Sequence, residues 1–210
     1  MLRGQARGFL TEHCSTSVVR AVLDSNEDWD AGLWKKVADM GWTATVIPEA
    51  YGGLGLSYYE LAILAEEMGR SAAPLPFSSS LYLASEAIRH FGNESQKSEW
   101  LPKLASGECV ATVAMAERAG RLVLDQLQTR RTDSQITGHK VPVADASVAD
   151  VAVVLARSDQ GLEACLVPLK QEGVVISPVL TFDTSRGHSA ITFDRADAQA
   201  LGNAPLDPAD

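Results

Sequence analysis

Thr45-Val46-Ile47-Pro48-Glu49-Ala50-Tyr51-Gly52-Gly53-Leu54-Gly55-Leu56-Ser57 sets one proline and three glycines between two amphipathic helical stretches. Pro48 fixes its own φ and biases Ile47 toward extended backbone, while Gly52, Gly53 and Gly55 open positive φ values that other residues avoid. A shaped, close-packed loop follows, although a Pro-and-Gly stretch taken alone reads equally well as a plain connector between helices. Upstream, Leu33, Trp34, Val37 and Met40 recur at helical spacing before Gly41. Downstream, Ser57-Tyr58-Tyr59-Glu60 has the form of a capping box and predicts a helix over 58–69. Leu61, Leu64, Ala65 and Met68 make its apolar stripe, with Glu66 and Glu67 turned elsewhere.

The helical texture continues to residue 107. Pro74 and Pro76 break the chain, after which 78–91 resumes helical spacing through Leu81, Leu83, Ala84, Ala87 and Ile88 before Gly92. Asn93, with Gln96 three residues on, caps a further helix whose Trp100, Leu101 and Leu104 face inward before Gly107. Helices are therefore expected from roughly Leu10 to Gly107. After Glu108 the pattern changes to short Val- and Ile-rich runs at 109–115, 151–156, 163–169, 173–179 and 190–193. Ser158-Asp159-Gln160-Gly161 links two of them as a hairpin loop would, so an antiparallel β-domain is expected.

Composition excludes several classes of function. A net charge of −9 and a pI near 4.9, with no dense Lys/Arg run, argue against nucleic acid. No apolar run approaches the roughly 20 residues that span a bilayer, and Met1-Leu2-Arg3-Gly4-Gln5-Ala6-Arg7-Gly8 lacks the apolar core of a secretory signal. A cytoplasmic chain that makes no membrane contact is expected. Cys14, Cys109 and Cys165 are odd in number and far apart, which favours core or surface thiols over a disulfide framework or metal site. His13, His90, His139 and His188 stand singly, without a partner at ligand spacing. Arg118, Arg121, Arg130 and Arg131 form a local cationic cluster that meets either a ligand phosphate or only solvent. No Gly-x-Ser-x-Gly elbow is present for Ser-His-Asp hydrolysis.

Two segments carry a resemblance. Ile-Pro-Glu-x-Tyr-Gly-Gly-Leu-Gly-Leu-Ser, preceded by Leu33-Trp34-Lys35-Lys36-Val37-Ala38-Asp39-Met40-Gly41-Trp42, resembles the N-terminal helical domain of the acyl-CoA dehydrogenase flavoproteins. So does the stretch Phe91-Gly92-Asn93-Glu94-Ser95-Gln96 through Trp100-Leu101-Pro102-Lys103-Leu104 to Glu108. The resemblance implies an α+β, multidomain chain: an all-α N-terminal domain over 1–108, an antiparallel β-barrel or sandwich domain over 109–202, and an acidic, Pro-rich tail over 203–210. The family's C-terminal four-helix domain is expected to be absent, because the tail stands where it would begin.

The same resemblance implies chemistry: α,β-desaturation of an acyl-CoA thioester, with a carboxylate taking the α proton and FAD accepting the β hydride. It also implies lipid metabolism, an acyl-CoA substrate, a homo- or hetero-oligomer and an electron-transfer acceptor as partner. In relatives the base projects from the C-terminal domain, so no catalytic residue is assigned here. Glu66, Glu67, Glu94 and Glu99 read as solvated-face carboxylates. The family's flavin-lining Thr-Glu-Pro-x-x-Gly-Ser-Asp corresponds to Met115-Ala116-Glu117-Arg118-Ala119-Gly120-Arg121, and Gly-Lys-Lys-x-Trp-Ile-Thr to Gly138-His139-Lys140-Val141-Pro142-Val143-Ala144. Met115, Ala116, Glu117, Val143 and Ala144 are thus the expected cofactor residues, with Gly120 and Arg121 expected on the substrate side. Ala116 and Ala144 lack the family's hydroxyls and Pro142 cannot donate, so weak or lost FAD binding is expected. Val141-Pro142, 149–157 and Phe182-Asp183-Thr184-Ser185-Arg186 look like the subgroup acting on bulky steroid or side-chain thioesters, which often pairs unlike subunits. A flavin dehydrogenase chain, a non-catalytic scaffold subunit with a base-bearing partner, and an oxidase-like flavoprotein all remain open.

Overall fold

The computed structural model describes residues 1–25, 27–120, 122–183, 185–203 and 205–206. Among these, six α-helices come first: α1 (Leu2–His13), α2 (Thr16–Leu23), α3 (Ala31–Asp39), α4 (Tyr58–Arg70), α5 (Ser85–Phe91) and α6 (Glu94–Ala105). A π-helical stretch, Ser78–Ala84, runs directly into α5. Helix α1 starts eight residues earlier than the expected Leu10; Ala6 and Leu10 alone give its buried line, too thin a stripe to read among Gly4, Gly8 and two arginines.

The Pro-Gly loop folds back on the strandless run before it. Leu54, Gly55 and Leu56 donate main-chain N–H groups to the carbonyls of Ala44, Ile47 and Thr45 at 2.8, 2.9 and 2.8 Å. Gly52 has φ of +77°, and a Cβ on Gly53 would stand 1.8 Å from the Ile47 carbonyl oxygen, so the approach excludes any side chain there. The loop thereby delivers Ser57, whose capping box with Glu60 is complete, as is that of Asn93 with Gln96.

The β half is a single curled sheet of β1 (Ala111–Ala114), β2 (Arg130–Thr132), β3 (Gln135–Ala144), β4 (Val151–Ser158), β5 (Gly161–Pro168), β6 (Val174–Pro178), β7 (His188–Asp197) and β8 (Gln199–Ala200). Its order is β6-β7-β3-β2-β4-β5-β8, with β1 on β4. Most pairings are antiparallel, including the β4–β5 hairpin that turns at Asp159-Gln160; β1 and β2 each lie parallel to β4, making the sheet mixed. Strand β3, ten residues long, pairs with β7 and was not among the expected runs. Its register slips between Lys140 and Val143, around a cis Val141–Pro142 peptide.

Two apolar cores result. One joins α1, α3, α4 and the sheet through Leu10, Trp34, Leu64, Val154 and Phe193. The other joins α5, α6 and the sheet through Ile88, Leu101, Leu104, Val151 and Leu166. Trp34 also donates from Nε1 to the Gly107 carbonyl at 2.9 Å, and Gln96 donates to the Ala200 carbonyl at 2.7 Å. At the far end Leu206 N–H reaches the Leu162 carbonyl at 2.8 Å, so the start of the Pro-rich tail lies on β5; the rest of that tail, Asp207 to Asp210, lies outside the described residues.

One expected surface carboxylate is not solvated. Glu67 is buried, covered by Arg3, Arg7 and Arg70, with Arg7 donating to both of its oxygens at 2.7 and 2.9 Å. These hydrogen bonds, first of all those from Arg7, hold its carboxyl below the ordinary range. Arg70 lies three positions along the same helix, but Arg3 and Arg7 lie 64 and 60 positions away in sequence, which helical periodicity cannot reveal. All three cysteines are buried, and burial pushes the Cys109 and Cys165 thiols up to about 12.

Candidate cofactor and acyl site

Met115, Ala116 and Glu117 follow directly on β1 and run beside β3. The Val141 N–H donates to the Ala116 carbonyl at 2.9 Å, and the Thr112 hydroxyl donates to the Ala144 carbonyl at 2.6 Å. The two expected cofactor segments are therefore neighbours, as the chemistry requires. Lys140, wholly buried, reaches across from β3 and donates to the Met115 carbonyl at 2.9 Å and to Glu117 at 3.1 Å.

Glu117 is the hub. Its carboxylate also accepts the main-chain N–H groups of Gln128 and Thr129, both at 2.7 Å. Partial burial opposes ionisation, but these N–H groups and Lys140 outweigh it and bring the carboxyl down to about 2. Burial pulls the Lys140 ammonium below its usual value against the attraction of Glu117.

Beneath this hub opens a cleft of about 500 Å³ lined by Ala116, Glu117, Arg118, Leu122, Val123, Asp125, Gln126, Leu127 and Gln128. On the other side lies an apolar groove of about 570 Å³ lined by Tyr82, Leu83, Ala87, Phe91, Val113 and Met115, with Glu86 and His90 among them. A second hollow of about 250 Å³, between Tyr58, Leu61, Ala62 and Ala65, shares Tyr82 and Glu86 with it. Met115 faces the groove, whereas Ala116 and Glu117 face the cleft, so two binding volumes meet across three consecutive residues.

The expected site residues divide accordingly. Ala116 and Glu117 line the cleft and Met115 the groove; Val143 is wholly buried, stands in register with Ser189 of β7 and lines neither volume. Ala144 is half-buried, and its carbonyl is taken by Thr112. Gly120, at φ of +104°, is exposed and lines neither volume; Arg121 lies outside the described residues. The three described arginines of the cluster do not converge: Arg118 donates to Gln126, Arg130 pairs with Asp159 and Arg131 with Glu163.

Sequence reading missed residues 122–128 and the polar island of the groove. Glu86 accepts from Tyr58 Oη and pairs with Arg89 at 2.7 Å and His90 at 3.3 Å. Burial would raise its carboxyl, but the bonds from Arg89 and Tyr58 prevail and hold it below the ordinary range. A carboxylate so paired is ill-suited to take a proton near neutral pH. The i, i+3 and i+4 spacing of Glu86, Arg89 and His90 was the available signal. Among the described residues no group of three metal-ligating side chains exists, and no helix is long and apolar enough to cross a membrane.

Comparison with known proteins places the chain. A family model described as acyl-CoA dehydrogenase, N-terminal domain, matches residues 1–108. Acyl-CoA dehydrogenase FadE27 of Mycobacterium tuberculosis is 27% identical over 88% of the chain and 50% of its own length. The solved structure of the Tcur3481–Tcur3483 steroid ACAD superposes with a TM-score of 0.85 at 31% identity, over 96% of this chain and 56% of that one. An acyl-CoA dehydrogenase complexed with FAD from Bacillus anthracis superposes at 0.87 with 25% identity, over 97% of this chain and 37% of that one. The chain spans half or less of the first curated relatives it matches. With more than half of its residues under the family model and its two-part fold shared with these structures, the chain belongs to the acyl-CoA dehydrogenase family.

Proposed function

We propose that this chain forms the flavin cleft and the acyl groove of an FAD-dependent acyl-CoA dehydrogenase acting on a bulky acyl thioester. The observation that carries this reading is the meeting of the two volumes across Met115, Ala116 and Glu117. An acyl group in the groove and a flavin in the cleft would then approach each other at the end of β1, where hydride transfer needs the acyl β carbon in contact with the flavin ring. FAD supplies a hydride acceptor at the β carbon of the acyl group.

The residues fit that cofactor through shape and main chain more than through side chains. A cleft of about 500 Å³ lies within the range of small-molecule sites, and its wall at Ala116 and Glu117 is fixed by Lys140 and Val141. Ala116 and Ala144 offer no hydroxyl and Pro142 no N–H, so anchorage is weaker than the family pattern provides. The groove walls, Leu83, Phe91, Val113 and Met115, exclude water from the acyl chain. Glu86, held by Tyr58, Arg89 and His90, keeps its charge and orients the groove's polar wall rather than taking a proton.

A second reading is a scaffold subunit that completes its site with a base-bearing partner. The lost hydroxyls at Ala116 and Ala144 favour it, as does the two-component name of the steroid enzyme. Anaerobic mixing of the purified, FAD-loaded chain with branched and ring-bearing acyl-CoA thioesters separates the readings. Bleaching of the flavin band by the chain alone supports the first; bleaching only after a partner subunit is added supports the second. Failure in both settings contradicts the dehydrogenase reading.

A further inference from the structure

We infer that Glu117 and Lys140 act as a positioning pair, a clamp that holds Arg118 and residues 122–127 in the cleft wall and so presets ligand affinity. This rests on the cofactor reading of the cleft. The clamp has four connections. Lys140 Nζ holds the Met115 carbonyl and a Glu117 oxygen, while the two Glu117 oxygens hold the N–H groups of Gln128 and Thr129. Both ends of the cleft-lining segment are thereby tied to one carboxylate, and that carboxylate is tied to the sheet.

The pair is otherwise costly. Lys140 is the largest fully buried side chain of the sheet, and an ammonium taken out of water is stabilised only by a close, well-bonded partner. The partner of Lys140 in register on β7 is the wholly buried Ile191, so a leucine or methionine would suit the position without any charge. A pair kept only for packing would be replaceable by such residues. A pair that shapes the cleft would not, because Gln128 and Thr129 would lose their acceptor.

The test compares Glu117→Gln, Lys140→Met and the double variant Glu117→Met with Lys140→Met in the full chain. Each is read by thermal unfolding, by amide hydrogen exchange at Gln128 and Thr129, and by FAD titration with its visible difference spectrum. The clamp predicts that the double variant recovers much of the stability lost in either single variant. It also predicts that exchange at Gln128 and Thr129 stays fast and that FAD affinity stays down by about tenfold or more. If exchange and FAD affinity recover together with stability in the double variant, the pair is only a packing device and the inference fails. Should the unsubstituted chain bind no FAD, the cofactor reading fails, and the exchange at Gln128 and Thr129 still decides for or against the clamp.

Discussion

Gly53 carries the tightest steric constraint in the Pro-Gly loop, since a Cβ would meet the Ile47 carbonyl oxygen at 1.8 Å. Gly52 differs: its φ is +77° but open space surrounds it. Gly53→Ala should therefore cost on the order of 3 kcal/mol by displacing main chain, and Gly52→Ala only about 1 kcal/mol for a left-handed residue. Urea denaturation midpoints will show the difference, and equal losses would refute this account of the loop. Glu117 makes a second prediction. Its folded pKa of about 2 lies below the ordinary 4.5, so folding favours the ionised form. The resulting stabilisation is complete above about pH 4.5 and is lost as pH falls toward 2; at about 1.4 kcal/mol per pKa unit it amounts to about 3 kcal/mol. Stability measured against pH should fall along this acid limb, and Glu117→Gln should flatten it.

Gln96 shows how an element is fixed by more than its cap. Both it and Asn93 complete the capping box of α6, yet Gln96 is buried and further bonds Ala200 and Gly202, which joins the helix to β8 and the turn after it. Asn93→Ala should cost about 1 kcal/mol, as a lost cap does. Gln96→Ala should cost about 2–3 kcal/mol, because the half-buried Ala200 carbonyl and Gly202 N–H lose their partner along with the cap; similar losses in calorimetry would show the link to β8 to be idle. The capping boxes themselves were legible, as were the Asp159-Gln160 hairpin and the inward faces of α3 and α4, because each depends on local spacing. Strand β3 was not. His139, Lys140 and Pro142 break the alternation that marks a strand, and Lys140 is buried only because Glu117 waits across the sheet. Glu67 escaped for the same reason, two of its arginine partners, Arg3 and Arg7, lying on α1. The two segments named from the sequence, Met115–Glu117 and β3, lie side by side, but the cleft wall over 122–128 has no periodicity or motif of its own.

Among the described residues, several exposed apolar side chains lie along the groove. Leu83, Phe91 and Met115 line it, with Tyr58 and Tyr59 on α4 nearby and Leu180 and Phe182 standing free on the turn between β6 and β7. Surfaces of this kind seldom stay bare in solution. Self-association or complex formation is expected, with a buried area above about 1,000 Å²; a clean monomer by ultracentrifugation at micromolar concentration would count against it. The central claim is that a flavin cleft and an acyl groove meet at Met115, Ala116 and Glu117. Its most direct measurement is a titration of the chain and of Ala116→Thr with FAD, followed in the visible band. The account predicts saturable, one-to-one binding that is weak in the unsubstituted chain and about tenfold tighter once a hydroxyl donor is restored, the worth of one hydrogen bond. No saturable binding by either protein would contradict it.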